Sequence, residues 1–185
     1  MVNRSNPCLE WLNQQSSLPD PRRAVVSVCQ AQPFIQITHY READGLAKLR
    51  ERLGMPLPES PRLVGQADQS RLYRLAPESF GIYGISDNTQ ARIAAIDAAQ
   101  AAVVDLSHAR VRVSLSGTHA RDVLSLGISL DLHPEVLPVG EFVQTLLDHN
   151  PVLLERVAAD TYELMFLRTF ALTQLQWLVD AMQAI

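Results

Sequence analysis

The sequence predicts an α+β protein of two small lobes, in which helices pack on mixed or antiparallel sheets. Its 185 residues are 47% hydrophobic, which is enough for a sizeable core. Over residues 110–116, arginine and serine alternate with valine and leucine, the period-two pattern of a half-buried strand. Strand-like and helix-like segments follow one another along the rest of the chain, without a repeat or a long linker. These observations favour one compact structural unit.

A polar, turn-rich stretch opens the chain over residues 1–30. Pro19, Asp20 and Pro21 break any helix there, so the stretch predicts an N-terminal tail. Such a tail either orders when it docks on a partner or stays disordered. Residues 31–105 then predict a first α+β lobe, and residues 106–185 predict a second.

The first lobe begins with a predicted strand at 32–40 and a helix at 43–53, which Gly54 ends. The remaining predicted elements are a hairpin of strands 70–75 and 80–85, a helix capped by Asp87, Asn88 or Thr89, and a strand at 103–105. This order of strand, helix, strand, strand, helix and strand is that of a ferredoxin-like lobe.

The second lobe begins with the alternating strand at 110–116, whose core side is formed by valines and a leucine. Gly117 permits a tight turn, Thr118 is expected to cap the next helix, and Gly127 is expected to end it in a left-handed conformation. The remaining predicted elements are strands at 142–147, 152–157 and 162–168 and a last helix at 169–184. The second lobe therefore also predicts helices packed on a sheet.

The composition disfavours several classes of partner. The net charge is −4 and Lys48 is the single lysine, so the chain lacks the basic excess that phosphate-backbone binding needs. No apolar run reaches the roughly 18 residues of a spanning helix, and the N-terminus lacks the apolar region of a signal peptide. Cys8 and Cys29 indicate no disulfide framework. We therefore expect a cytoplasmic protein that binds neither nucleic acid nor membrane.

The motifs of cofactor and metal sites are missing from the sequence. Neither GxGxxG nor GxxxxGK occurs, and the histidines do not have the spacing of metal ligands. No catalytic, cofactor-binding or metal-binding residue is therefore predicted. Asp105, Ser107 and Gly117 are interpreted as structural turn residues, with a hydrogen-bonded acid/base pair of Asp105 and His108 as the alternative.

The last helix has two apolar faces. Its broad face, which we assign to the chain's own core, comprises Ala171, Leu172, Leu175, Leu178, Val179 and Met182. A second stripe nearly opposite comprises Phe170, Trp177, Ala181 and Ala184. The sharper hypothesis is that this stripe contacts a partner subunit, because exposed aromatic patches commonly mark interfaces. The alternative is that the chain itself covers Trp177.

Several short motifs carry a family resemblance from about residue 101 to the C-terminus. They are a D-x-S-H turn at 105–108, a strand-end glycine at 115–117, the segment SLDL at 129–132 before His133 and Pro134, and the C-terminal segments 151–154, 168–171 and 177–178. With these motifs the chain resembles the folate-binding aminomethyltransferase superfamily, and most closely the gamma subunits of heterotetrameric sarcosine oxidase.

The resemblance implies a non-catalytic subunit that supports assembly of a flavoenzyme complex, which oxidatively demethylates sarcosine to glycine. It implies alpha, beta and delta subunits as partners and places FAD, FMN, NAD and tetrahydrofolate on those other subunits, with no cofactor in this chain. Folate-dependent members of the superfamily carry a G-G-x-x-D-D turn, whereas residues 148–151 here read DHNP. The alternatives are a stand-alone folate-binding or aminomethyltransferase-like protein and an interaction protein of another system.

Overall fold

The computed structural model describes residues 6–15, 20, 23–40, 44–67 and 69–185. The chain divides into two compact units: Met1–Gln30 with Ala109–Ile185, here called the discontinuous unit, and Ala31–His108, here called the continuous unit. Each contains one five-stranded antiparallel sheet with helices. The predicted α+β class is confirmed. The division after residue 108 lies three positions later than the predicted boundary at 105.

Five helices and ten strands are present in the described residues. The helices are α1 Pro7–Gln14, α2 Gly45–Leu53, α3 Asp87–Ala94, α4 Ala120–Ser125 and α5 Arg168–Gln183. The strands are β1 Val25–Val28, β2 Phe34–His39, β3 Gly65–Ala67, β4 Ser70–Ala76, β5 Ser79–Tyr83, β6 Ala101–Asp105, β7 Arg110–Ser116, β8 Phe142–Leu147, β9 Asn150–Ala158 and β10 Thr161–Leu167.

The N-terminal stretch is not a tail in its described part. Asn6 caps α1 by accepting a hydrogen bond from the Cys8 backbone N–H at 3.1 Å, and the Cys8 side chain is fully buried. Burial raises the pKa of the Cys8 thiol to about 11. Strand β1 then pairs antiparallel with β7, with Val26 opposite Leu115. Residues 16–19 and 21–22, which include Pro19 and Pro21 of the predicted tail, lie outside the described residues.

The continuous unit has the strand order β3-β4-β5-β2-β6. The predicted hairpin is β4 and β5, Gly54 ends α2 with a φ of 59°, and the short strand β3 was not predicted. Ser86, rather than Asp87, Asn88 or Thr89, caps α3, because its hydroxyl accepts from the Thr89 N–H at 3.2 Å. The core comprises Ile37, Leu49, Leu53, Met55, Leu57, Leu72, Phe80, Ile82, Ile93 and Ala101.

The discontinuous unit has the strand order β1-β7-β10-β9-β8. One face of its sheet packs on α4 and α5, and the alternating residues predicted for the core side of β7 are buried there. The centre of this core comprises Val113, Leu115, Val123, Leu124, Leu154, Leu164, Phe166, Leu175 and Leu178, each fully buried. The predicted broad apolar face of the last helix is therefore in the core.

The turns around α4 differ from the prediction. His119 occupies the N-cap position and makes no side-chain cap, so Thr118 does not cap the helix. The helix ends at Leu126 in a right-handed conformation, and Gly127 does not have a positive φ. Gly127 instead gives room to an aromatic ring, because an added Cβ would lie 2.5 Å from Cη2 of Trp177. Close packing, rather than backbone conformation, explains this glycine.

Candidate functional site

The turn after β6 is held by Asp105 and Ser107. One Asp105 carboxylate oxygen accepts hydrogen bonds from the Ser107 hydroxyl at 2.5 Å and the Ser107 backbone N–H at 2.9 Å. The Ser107 hydroxyl in turn accepts from the Phe34 N–H at 3.0 Å, and the Leu106 N–H donates to the Phe34 carbonyl. These bonds fasten the two ends of the continuous unit to each other.

The hydrogen bonds from the Ser107 hydroxyl and backbone N–H lower the pKa of Asp105 below its ordinary value. His108 is exposed beside this turn and makes only a minor electrostatic contribution to the same shift. The described contacts of Asp105 are thus those of a turn residue. Its assignment as structural rather than catalytic stays a prediction.

Asp105→Ala is expected to lower the free energy of unfolding by about 0.5–1 kcal/mol at neutral pH, since the carboxylate is exposed and its hydrogen bonds are solvent-screened. A lowered native pKa stabilises the fold above the ordinary pKa of 3.8, and this contribution is lost as the pH falls through the native pKa. Urea unfolding at pH 7 and pH 3 measures both effects. Asp105→Asn, which keeps an acceptor oxygen, is the control; an equal loss in both variants contradicts the interpretation.

Gly117 lies where the chain before β1 passes close to the end of β7. Its φ is 121°, and a Cβ added there would lie 2.5 Å from the Arg23 carbonyl oxygen and 3.0 Å from the Ala24 Cα. Its N–H donates to the Asp160 carbonyl at 2.9 Å. Both the conformation and the close approach of backbone atoms therefore require glycine.

The turn between β8 and β9 lies where the resemblance implies a G-G-x-x-D-D turn in folate-dependent proteins. Asp148 and His149 both have positive φ, 43° and 69°, and Leu147 pairs with Asn150, which describes a tight two-residue hairpin. The Asp148 side chain is exposed at this turn. The strand after it directs Val152 and Leu154 into the core. This hairpin presents one exposed aspartate and a strand of buried apolar side chains.

A buried ionic cluster lies on the sheet of the discontinuous unit and was not predicted from the sequence. Arg112 on β7 donates from Nη2 to Glu155 on β9 at 2.5 Å and from Nε to Glu163 on β10. Glu155 and Glu163 face each other directly across neighbouring strands. Their negative charges repel, and the Arg112 guanidinium compensates for this repulsion by donating to both carboxylates. The alternation of polar and apolar residues over 110–116 predicts that Arg112 lies on the polar face of β7, yet Arg112 is only 5% exposed.

The second stripe of the last helix is only partly exposed. Phe170 and Ala184 are exposed, whereas Ala181 is buried in the core and offers little surface to a partner. Trp177 is partly buried and packs against the core, with its ring over Gly127. Within the described residues, the stripe is therefore not one continuous exposed surface. The alternative that the chain itself covers Trp177 agrees with these contacts.

Trp177→Ala is accordingly expected to destabilise the isolated chain by about 1–3 kcal/mol, because it removes a ring packed on the core. Phe170→Ala, at an exposed position on the same helix, should change stability by about 0.5 kcal/mol or less. Thermal unfolding of both variants beside the unmutated chain tests the contrast. An unchanged melting temperature of Trp177→Ala would show that the ring does not stabilise the core, and Trp177 would again be a candidate contact of a partner subunit.

The described residues contain neither a metal-ligand cluster nor a membrane-spanning helix. No cluster of three or more histidine, cysteine, aspartate or glutamate side chains with metal-binding geometry occurs among them. No helix among them is long and apolar enough to cross a membrane. The features that stand out are therefore the two glycine-dependent contacts, the hairpin at 148–149 and the buried ionic cluster of Arg112.

Known sequences and structures resemble this chain over most of its length. Sarcosine oxidase subunit gamma from Corynebacterium sp. (strain P-1) is 31% identical over 141 residues, which cover 75% of this chain and 70% of that protein. The same subunit from Arthrobacter sp. is equally similar, at 31% over 141 residues with the same coverage. Both relatives thus match the greater part of each chain.

Among solved structures, heterotetrameric sarcosine oxidase from Corynebacterium sp. U-96 matches with a TM-score of 0.83 at 22% identity, over 100% of this chain and 96% of that one. Aminomethyltransferase T of the glycine cleavage system from Bartonella henselae matches with a TM-score of 0.55 at 17% identity, over 84% of this chain and 45% of that one. Both likenesses concern the fold. The model of the sarcosine oxidase gamma subunit family matches residues 42–184, and the chain therefore belongs to that family.

Proposed function

We propose that this gamma subunit contributes assembly rather than chemistry to a heterotetrameric sarcosine oxidase. Family membership and the fold shared with a chain of such a complex support a role beside other subunits. The observation that carries the non-catalytic part is the hairpin at 148–149. Val152 and Leu154 follow it and fill the core, and an apolar side chain cannot accept the hydrogen bonds or stabilise the charge that one-carbon transfer requires.

The partners proposed for the chain are the alpha, beta and delta subunits. In this proposal the complex demethylates sarcosine to glycine in the cytoplasm, with FAD, FMN, NAD and tetrahydrofolate bound by the other subunits. The exposed Phe170 and Ala184 remain proposed contacts of a partner, while Asp105, Ser107 and Gly117 keep turn roles. The shared fold alone is weak support for folate chemistry, because one fold hosts many functions.

Co-expression of the chain with candidate alpha, beta and delta subunits tests the assembly role. A tagged gamma chain should co-purify in one particle with subunits that contain flavin, and the particle should oxidise sarcosine. Omitting the gamma chain should lower the yield of assembled particle rather than the turnover per flavin of any particle that forms. Normal assembly without it, with lost turnover, would contradict the proposal.

Calorimetry tests whether the isolated chain binds any of the proposed cofactors itself. Titrations with tetrahydrofolate, FAD, FMN and NAD should each show no binding tighter than about 10 μM, roughly −7 kcal/mol. Tighter binding of tetrahydrofolate would instead support the alternative of a stand-alone folate-binding or aminomethyltransferase-like protein. Binding of flavin or NAD would show that the cofactor assignment is wrong.

A further inference from the structure

Large apolar side chains are exposed along one stretch of the discontinuous unit. They belong to the connection that follows α4 and to the edge strand β8, and each is between 42% and 56% exposed: Leu126, Leu130, Val136, Val139 and Leu146. Single exposed leucines are ordinary on a protein surface, but several of them around one depression indicate a binding surface.

The three leucines of this set line a groove of about 470 Å³. Leu126 and Leu130 lie on the side formed by residues 125–130, and Leu146 lies on the side formed by β8. Asp148 and His149 of the hairpin turn also line it. The groove is open and lies between two backbone segments, one of them an edge strand, which suits an extended chain better than a compact small molecule.

The two sides of the groove are held in place by backbone contacts. The Asp148 N–H donates to the Gly127 carbonyl at 3.1 Å, which joins the end of β8 to the segment after α4. Trp177 and Leu147 pack beneath Gly127, where a Cβ would lie 2.5 Å from the indole and 2.9 Å from the leucine. A surface fixed in this way loses little conformational entropy when it is covered.

The charge of the stretch around the groove has one sign. No lysine or arginine occurs between Arg121 and Arg156, whereas this interval contains the carboxylates of Asp122, Asp131, Glu135, Glu141, Asp148 and Glu155. Glu155 belongs to the buried cluster, but Asp131, Glu135 and Asp148 are exposed. A groove that combines exposed leucines with the Asp148 carboxylate, and that has Asp131 next to Leu130 in the chain, is complementary to a segment that carries both apolar and basic side chains.

We propose that this groove docks an extended segment of another subunit, in which apolar side chains that enter the groove are flanked by lysine or arginine. The inference rests on the proposed function, because it takes the occupant from the same complex. The leucines supply the contact area, and the carboxylates select and orient the basic segment. Neither Phe170 nor Ala184 is among the residues that line the groove, so it adds a contact to those proposed above.

The apolar part of the proposal is tested in the co-expressed complex with Leu130→Ser/Leu146→Ser. Since both side chains are exposed, the melting temperature of the isolated variant should stay close to that of the unmutated chain. Its affinity for the complex should fall by about 30-fold or more, measured by titrating labelled gamma chain into particles that lack it. The matched control is Leu9→Ser/Leu63→Ser, two leucines of similar exposure elsewhere, which should bind within about threefold of the unmutated chain.

The charge part is tested with Asp131→Asn/Asp148→Asn. Asparagine preserves the acceptor that Asp131 offers to the His133 N–H and tolerates the positive φ of Asp148, so the turns should persist. Binding should weaken about tenfold at low ionic strength, and the difference should shrink in about 1 M salt. Hydrogen exchange should slow at residues 126–130 and 144–149 when the complex forms.

The outcomes separate the two proposals. If the unmutated chain does not join the complex, the proposed function fails and the docking surface fails with it. If the unmutated chain joins but the leucine variant binds within threefold, the docking surface is overturned and the function stands. Unchanged or tighter binding by the asparagine variant would overturn the basic character of the occupant, and so would a binding affinity that does not depend on salt.

Discussion

Arg112→Leu should lower the free energy of unfolding by about 3–5 kcal/mol, because it leaves two carboxylates facing each other without their guanidinium. Glu155 has 5% of its side chain exposed and Glu163 has 17%, so water can compensate for the lost partner only in part. Urea unfolding of the isolated chain, followed by circular dichroism, measures the loss.

The informative control replaces the whole cluster, as Arg112→Leu/Glu155→Leu/Glu163→Leu. Removing all three charges avoids leaving two facing carboxylates without their guanidinium, so this variant should be more stable than Arg112→Leu alone even though it carries more changes. If Arg112→Leu lowers the free energy of unfolding by less than about 1 kcal/mol, other groups must compensate for the charges of Glu155 and Glu163. A triple variant less stable than the single would mean that the cluster stabilises through its geometry rather than through charge pairing.

Gly117→Ala should destabilise the chain by about 2–4 kcal/mol, the second-largest effect expected here. The new methyl group would combine an unfavourable positive φ with a contact 2.5 Å from the Arg23 carbonyl oxygen. Because the opposing atoms are backbone, they cannot move aside as the end of a flexible side chain can. The packing of the chain just before β1 against the end of β7 should therefore be disturbed.

Gly140→Ala separates the cost of a positive φ from the cost of the backbone clash. Gly140 has a φ of 87°, but an added Cβ there meets no atom within 4 Å. It should therefore show only the conformational cost, about 1–2 kcal/mol. The excess loss at Gly117, measured by thermal and urea unfolding under the same conditions, reports the backbone clash. Equal losses in the two variants would show that the clash is relieved without cost.

Elements whose signal is local could be predicted from the sequence. The alternation in β7, the hairpin of β4 and β5 and the apolar face of α5 each depend on side chains within one segment, and the structure has them within a few residues of the prediction. The family resemblance was likewise carried by contiguous motifs, and the family match over residues 42–184 confirms it.

Features that depend on distant partners could not be predicted in this way. The strand β1 is four residues long, and the strand that pairs with it lies more than eighty positions later. The sequence places Arg112 on the polar face of β7 but does not say that two carboxylates from other strands meet it. A helical projection locates Trp177 on the second stripe, yet only the fold places Gly127 under its ring.

The chain path of the discontinuous unit has a consequence for the order of folding. At a synthesis rate of about 5–20 residues per second, β1 is synthesised at least about 4 s before β7. The continuous unit is completed in between, and its own ends are hydrogen-bonded through Phe34, Leu106 and Ser107. Once the two ends of the continuous unit are joined, the flexible loop between Val28 and Val113 is effectively shortened from about 85 residues to about a dozen. The entropic cost of closing this loop falls by about 1.5–2 kcal/mol. Early folding of the continuous unit thus prepares the pairing of β1 with β7, and a destabilised turn at Asp105 should slow that pairing more than it weakens the finished fold.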